Sequence, residues 1–277
     1  MSELGLVYLI RARNGPQPVR DFLDAYARNR GGVDHDLLVV YKGFSRPAGR
    51  APYESMLAPF AHRSLRVPDR GFDLRAYFAA ARHFDYPVMG FLNSFSIPLD
   101  ENWLVKLHRH LRTEGVGLVG ATGSWESLYS NIVQETETGL PRAWWQRALR
   151  GVRWRWAQAR FRPFPNPNVR TNAFLIAREV MLKVREPRLW FKIEALQFES
   201  GIDSLTQQVQ RMQRKALLVG RDGRAYEPED WPASNTYRHG DQANLLVVDN
   251  RTRQFAQADA AQRRLLSRLA WGDQDKV

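Results

Sequence analysis

The 277-residue chain contains no cysteine. That absence excludes disulfides, thiolate metal sites and a cysteine nucleophile, and is compatible with a reducing cytoplasm. Long apolar runs are missing too. The apolar stretch ahead of Arg11 is only about six residues, too short for a signal sequence or a membrane span, so the sequence reads as a cytoplasmic protein. Acidic residues are scarce relative to basic ones, 29 against 41, which leaves a formal charge of +12. Such an excess calls for an acidic partner: nucleic acid, anionic lipid headgroups or a phosphorylated substrate. There are no internal repeats and no low-complexity tract. What is present is a hydrophobic content of 44%, enough to bury the core of one large domain or two small ones.

Apolar runs and helical spacings alternate along the first half. Leu6 to Ile10 reads as a buried strand, and Val19, Phe22, Leu23 and Tyr26 recur at helical spacing until Gly31 and Gly32 end the pattern. Leu37 to Tyr41 is a second strand and Ser64 to Val67 a short third. Asp73 reads as the N-cap of a helix with Leu74, Tyr77, Phe78 and Ala81 as its buried stripe. Pro87 to Leu92 follows as a strand, then a helix capped by Asp100, then a strand at Val116 to Gly120. After Glu126 the alternation stops. Later come a strand at Thr171 to Ala177, a helical region to about Met212, strands at Ala216 to Val219 and Leu245 to Val248, and a closing helix. This order predicts an α/β fold with a mostly parallel sheet covered on both faces. Ligands of such sheets sit at the carboxyl ends of the strands, here the loops 11–15, 42–46, 69–73, 93–96 and 122–126.

The order of elements and several local strings resemble GT-A glycosyltransferases, particularly bacterial enzymes that build cell-surface polysaccharides. V-Y-L-I-R-A-R-N-G at Val7 to Gly15 is similar to the opening donor-binding strand. G-F-L-N-S-F-S at Gly90 to Ser96 occupies the place of the metal-binding D-X-D strand end. N-V-R-T-N-A-F-L-I at Asn168 to Ile176 resembles the acceptor-side strand, and F-E-S-G-I-D-S-L at Phe198 to Leu205 the helix that supplies the catalytic base. The resemblance implies one domain over residues 1–277: a nucleotide-sugar-binding half at 1–126, a basic Trp-rich insertion at 127–168, and an acceptor-side half with a C-terminal extension at 169–277. It implies transfer of a sugar from a nucleotide-activated donor to a glycan or lipid-linked acceptor, as in lipopolysaccharide or capsule synthesis.

The D-X-D carboxylates that hold a divalent ion on the leaving diphosphate are replaced here by Asn93, Ser94 and Ser96. Neutral amides and hydroxyls are poor ligands for a hard cation, so the expectation is a metal-independent site in which Arg11, Lys42 and Arg170 carry that charge. Asp69 stands where this fold contacts the nucleotide's base or ribose. Thr122, Ser124 and Trp125 suit a sugar ring, by hydroxyl bonds and stacking, although a Gly-rich turn around a buried Trp fits the same string. Arg170 and Asn172 are candidates for phosphate or sugar hydroxyls, and Tyr237 and Arg238 for closing over the donor. An inverting transfer needs a carboxylate base. Glu199 and Asp203, four apart and so on one face of a helix, are the candidates, with Glu199 favoured; acids decorating a helix N-terminus are the plain alternative.

The segment Arg142 to Arg162 carries seven Arg, four Trp and no acid. On a helical wheel Trp144, Trp145, Ala148, Leu149, Val152, Trp156 and Ala159 share a face, the pattern of a helix lying on an anionic bilayer, or of a lid helix with Arg residues in water. The expected location is therefore the cytoplasm, at the inner face of the plasma membrane. Two further readings stand beside the transferase: a catalytically silent GT-A-like binding or assembly protein, and a nucleic-acid-binding protein. The last is the weakest, because no nucleic-acid motif accompanies the basic cluster.

Overall fold

The computed structural model describes residues 2–130 and 155–273. Its elements follow the chain as β1 (Leu4–Arg11), α1 (Gln17–Arg28), β2 (Asp36–Lys42), α2 (Ala51–Leu57), β3 (His62–Val67), α3 (Phe72–His83), β4 (Val88–Leu92), β5 (Ile97–Pro98), α4 (Trp103–Leu111), β6 (Val116–Gly120), β7 (Gly123–Ser124), β8 (Asn168–Val169), β9 (Ala173–Ala177), α5 (Arg178–Lys183), α6 (Lys192–Ser200), α7 (Leu205–Arg211), β10 (Lys215–Val219), β11 (Ala225–Tyr226), β12 (Val247–Val248), α8 (Asn250–Gln257) and α9 (Ala260–Trp271). Eight strands form one sheet in the order β11-β10-β6-β9-β4-β1-β2-β3. The sheet is mostly parallel, as the alternation predicts.

Both faces of the sheet are covered. Side chains of a strand alternate between faces: in β1, Val7 and Leu9 pack with α3 on one side, while Leu6, Tyr8 and Ile10 pack with α1 and α4 on the other. A strand buried on both faces must be apolar throughout, which is why β1 reads as an uninterrupted run. The helices match their predicted stripes: Val19, Phe22, Leu23 and Tyr26 are buried in α1, and Leu74, Tyr77, Phe78 and Ala81 in α3.

The direction of β9 decides where the site lies. It runs antiparallel between β4 and β6, with Ala173 opposite Leu92 and Phe174 opposite Gly120. Its first residues therefore stand at the carboxyl edge of the parallel strands, and the chain just before it, Arg170 to Asn172, joins the loops that end β4 and β6. Asn93 N–H donates to Asn172 O at 3.0 Å, and Arg170 N–H to Thr122 O at 3.0 Å.

Three local expectations need correction. Asn102, not Asp100, holds the N-cap place of α4, and Asp100 Oδ1 accepts from the Asn102 N–H at 2.9 Å. Asp73 does not cap α3; Gly71 holds that place with φ 71°, and Asp73 sits in the first turn, turned toward Arg11 with 3.5 Å between Nη1 and Oδ1. The basic segment lies mostly outside the described residues. Of its described end, Ala157 and Phe161 are buried and Ala159 is exposed, because the helical turn at 155–158 gives way to a turn at 159–160. The face drawn through Ala159 does not continue there.

Gly120 closes β6 where Val169 crosses it: a Cβ at this position would lie 2.3 Å from Val169 Cγ1 and 3.3 Å from Thr122 O. Val169 is itself 1% exposed and has little room to retreat. Gly120→Ala is expected to cost about 1–3 kcal/mol, the usual penalty of overpacking, read as a lowered denaturation midpoint; an unchanged midpoint would show that the crossing is loosely packed.

Candidate functional site

A cavity of about 500 Å³ opens at the carboxyl edge of the sheet. Asn93 after β4, Ser124 on β7, Arg170 to Asn172 before β9, Glu199 on α6, Tyr237 and Arg238, and Asp249 to Arg251 at the start of α8 all line it. Seven sequence-predicted residues thus meet in one place: Asn93, Ser124, Arg170, Asn172, Glu199, Tyr237 and Arg238.

Glu199 is the penultimate residue of α6 and is half-buried. Its Oε1 accepts from Thr171 Oγ1 at 2.8 Å, and among the described residues no ion pair holds it. Burial raises its carboxyl above the ordinary value, with the Thr171 bond and the nearby Arg170 charge opposing. A carboxylate near a helix C-terminus also faces the negative end of the dipole. The helix ends at Gly201, whose N–H donates to Gln197 O at 2.8 Å. No Cβ fits there, with Gln197 O 2.5 Å and Arg160 O 3.0 Å from the position it would take.

That ending corrects the expectation for Asp203. It lies beyond the break, before α7, and does not share a face with Glu199. Asp203 accepts from Arg185 Nη2 and, at 2.8 Å, from Arg211 Nη1, and it does not line the cavity. The two acids do not decorate a helix start, since Glu199 is at a helix end.

Arg170 is fixed on three sides. Its Nη2 donates to Asp249 Oδ2 at 2.7 Å, its Nη1 to Thr122 Oγ1 at 3.2 Å, and its guanidinium lies 4.2 Å from the Tyr237 ring centre. Asp249 in turn caps α8, accepting from the N–H groups of Arg251 and Thr252 at 3.0 and 2.8 Å. Burial works to raise the Asp249 carboxyl, but the Arg170 charge and the Thr252 bonds outweigh it and hold the group below its ordinary range. Asp249 and Arg251 were not singled out by the sequence: V-V-D-N-R-T reads as an ordinary capped helix start, which it also is.

Two buried polar atoms on the lining lack a partner. Asn172 Nδ2 and Arg238 Nε make no hydrogen bond, although their residues are 3% and 7% exposed. Buried donors are rarely left so, and both belong to residues that line the cavity. Arg238 Nη1 stands 3.5 Å from Glu126 Oε2.

The other predicted residues fall elsewhere. Thr122 is fully buried behind the cavity, its Oγ1 donating to Asn172 Oδ1 at 2.7 Å. Trp125 is packed rather than offered to a ring: its Nε1 donates to Pro228 O at 2.8 Å and it meets Phe164 and Trp271 edge-on. Ser94 and Ser96 brace the loop after β4, donating to Leu9 O at 2.8 Å and Asn172 O at 2.7 Å.

Arg11, Lys42 and Asp69 form a second cluster at the ends of β1 and β2. Arg11 Nε and Nη2 reach Asp69 Oδ1 at 3.0 and 2.7 Å. Lys42 is fully buried and donates to the carbonyls of Pro68 and Arg70. Burial, helped by Arg11, pushes its ammonium down to about 8. Lys42 therefore holds the 68–70 turn and is not free to meet a diphosphate. All three cations expected to carry that charge are already engaged; of the other lining cations, Arg251 has no ion pair among the described residues, and Arg238 meets Glu126 through Nη1 while its Nε is unpaired.

The donor set after β4 does not fit a divalent ion. Asn93 Oδ1 already accepts from Phe95 N–H at 2.9 Å, and Asp249 is committed to Arg170. Among the described residues no group of three metal-capable side chains occurs.

With this geometry, one comparison decides the fold. The mannosyltransferase PcManGT from Pyrobaculum calidifontis, solved in complex with GDP-Man and Mn2+, superposes at a TM-score of 0.50 and 11% identity over 78% of this chain and 54% of that one. The chain has the GT-A fold. It spans about half the length of that mannosyltransferase (54%). Weaker likenesses include a 4-diphosphocytidyl-2C-methyl-D-erythritol synthase from Anaerococcus prevotii, at TM-score 0.43 and 10% identity over 78% of this chain and 86% of that one. Another is glucosyl-3-phosphoglycerate synthase from Mycobacterium tuberculosis, at TM-score 0.37 and 16% identity over 65% and 57%. No family model matches the sequence, and no curated protein does. Within the GT-A frame, the cavity lies at the carboxyl edge of the sheet and the Arg11 cluster stands at the same edge, on the β1 and β2 side.

Breaking the Arg170–Asp249 pair tests how the cavity is held. Asp249→Ala leaves a guanidinium that is 18% exposed without its partner and is expected to cost about 3–5 kcal/mol, while Asp249→Asn keeps a capping oxygen and costs less. Because the Asp249 carboxyl is depressed, its contribution is complete above the ordinary carboxylate pKa and is lost as pH falls through the folded value. Denaturant melts of wild type and the Ala variant should therefore converge at low pH; a constant gap would place the effect in packing instead.

Proposed function

We propose that the chain is a glycosyltransferase that moves a sugar from a nucleotide-activated donor to an acceptor hydroxyl, with inversion and without a divalent metal. The observation that carries the reading is Glu199: a carboxylate with no ion-pair partner among the described residues, hydrogen-bonded to Thr171 on a cavity whose other two carboxylates, Glu126 and Asp249, are each paired with an arginine. Its raised pKa makes it a stronger base than an exposed glutamate. In the step, the acceptor oxygen forms a bond to the anomeric carbon while the bond to the donor's diphosphate breaks. Glu199 takes the acceptor proton, and the nucleoside diphosphate leaves with the bonding pair.

The diphosphate charge falls to Arg251, which has no ion pair among the described residues, and to Arg238, whose contact with Glu126 at 3.5 Å is looser than the 2.7 Å pairs of Arg11 and Arg170. Asn172 Nδ2 and Arg238 Nε supply hydrogen bonds to oxygens of the bound substrates. Asn93 and Ser124 contribute neutral polar contacts. Asp69, held by Arg11 and exposed, is the contact for the nucleoside's ribose or base. The acceptor is a glycan or a lipid-linked sugar, and the setting is synthesis of a bacterial surface polysaccharide at the inner face of the membrane.

Replacement of Glu199 tests the reading. Glu199→Gln keeps an oxygen for Thr171 and is expected to reduce transfer by about 10²–10⁴-fold, the usual worth of a positioned general base. A buried carboxyl whose pKa is raised costs stability when ionised, fully so above its folded value; the variant should therefore melt no lower than wild type at neutral pH. In the wild type, transfer should fall as pH drops through the raised Glu199 pKa, at a higher pH than an exposed glutamate would set. Release of nucleoside diphosphate from nucleotide sugars, measured with sugar acceptors, reads both. Undiminished turnover in the variant would remove Glu199 as base, and absence of turnover in the wild type would favour a silent binding protein of the same fold.

A further inference from the structure

Two aromatic side chains stand almost free in water on the loop that leads into α6: Trp190 is 79% and Phe191 71% exposed. A protein gains from burying such groups, and this loop is built to keep them out. Leu189, immediately before, is 4% exposed and takes φ 59°, a left-handed conformation that a branched residue adopts only when its surroundings impose it. The two aromatic residues then have their N–H groups tied to one carboxylate, Glu194 Oε2, at 2.5 Å and 2.9 Å. Arg75 Nη2 fastens the other end, donating to Arg188 O at 2.7 Å. The loop is anchored on both sides, with its apolar tips presented outward.

The charges around the tips are of one sign. Arg188 and Lys192 flank the pair and are exposed, and among the described residues neither carries an ion pair. The acids nearby in sequence are spent: Glu186 is held by Arg82 at 2.6 Å, and Glu194 faces the backbone. An exposed Trp and Phe between two unpaired cations match the chemistry of the headgroup region of an anionic bilayer, where aromatic rings sit at the polar boundary and Lys and Arg meet lipid phosphates.

We propose that the loop from Arg188 to Lys192 docks the protein on an anionic lipid surface. This site is distinct from the basic segment at 142–162. It also bears on the substrate. Helix α6 begins at Lys192 and carries Glu199 seven residues later, so the docking loop and the proposed base are about 10 Å apart along the helix at 1.5 Å per residue. A hydroxyl carried on a lipid headgroup is within that reach. On the transferase reading, the acceptor class is therefore a lipid-linked sugar.

The test is co-sedimentation of the full chain with vesicles of phosphatidylcholine alone and of phosphatidylcholine mixed with phosphatidylglycerol. Wild type is expected to bind the mixed vesicles, less as salt rises, and to bind the neutral ones poorly. Trp190→Ser with Phe191→Ser should weaken binding about tenfold or more. Arg188→Gln with Lys192→Gln should remove most of the preference for the anionic vesicles. All four positions are exposed, and unchanged thermal melts verify the fold of each variant. Failure of the wild type to bind, or full binding by the aromatic double variant, would overturn the proposal. So would a dimer of the wild type that the same variant dissolves without any change in lipid binding. Vesicle binding needs no sugar donor, so its failure is separable from failure of the transferase reading, which nucleotide binding and turnover test.

Discussion

Arg170 enters the cleft with its side chain 18% exposed, and a cation so placed persists only beside a carboxylate that is buried with it; Asp249, 1% exposed, is that carboxylate. Much of the cavity depends on the pair. Through Arg170 it fixes the segment that precedes β9, including Thr171 against Glu199 and Asn172 against Thr122. Through Asp249 it starts α8 and brings Arg251 to the rim. The guanidinium face supports Tyr237, and Arg238 follows in the chain. This charge pair thus joins the segment before β9 to a C-terminal segment about 80 residues later in the chain (249 against 170).

The pair also constrains the chemistry. A guanidinium neutralised by its own carboxylate cannot give its full charge to a leaving diphosphate, and Arg11 and Lys42 are likewise committed, to Asp69 and to the backbone of 68–70. Charge count in the sequence therefore overstates the positive charge available to a ligand. Arg238 and Arg251 are less encumbered, and one of them keeps a buried N–H unpaired. Burial, which outweighs the opposing Thr171 hydrogen bond and Arg170 charge, gives Glu199 the opposite character, an acid whose proton is held more tightly than usual. Paired cations fix the walls, while an unpaired carboxylate and unpaired donors face the cavity.

Much of the fold was legible because strands buried on both faces must be apolar throughout and helices must keep their stripe: β1, β2, α1, α3 and α4 all follow from such patterns. The sense of β9 was not, since A-F-L-I-A reads the same in either direction, and only its neighbours reveal that it runs against them. The candidate site was legible in part. Glu199, Arg170, Asn172 and Asn93 came from the resemblance and do line the cavity. Asp203 failed because four-residue spacing implies one face only within a continuous helix, and Gly201 ends this one. Trp125 was ambiguous in sequence and is half-buried, held against the core by Pro228, Phe164 and Trp271. Asp249 stayed hidden because its capping role and its partnership with Arg170, 79 residues away, use the same carboxylate.

On the proposed function, the cleft of this GT-A fold binds a nucleotide sugar through its own basic and amide groups. Isothermal titration with nucleoside diphosphates and nucleotide sugars, run once with EDTA and once with Mn²⁺, tests it most directly. The expected result is saturable binding of one nucleotide class with an affinity that EDTA leaves unchanged. Binding that appears only with the metal would contradict it, and so would the absence of binding to every nucleotide tried.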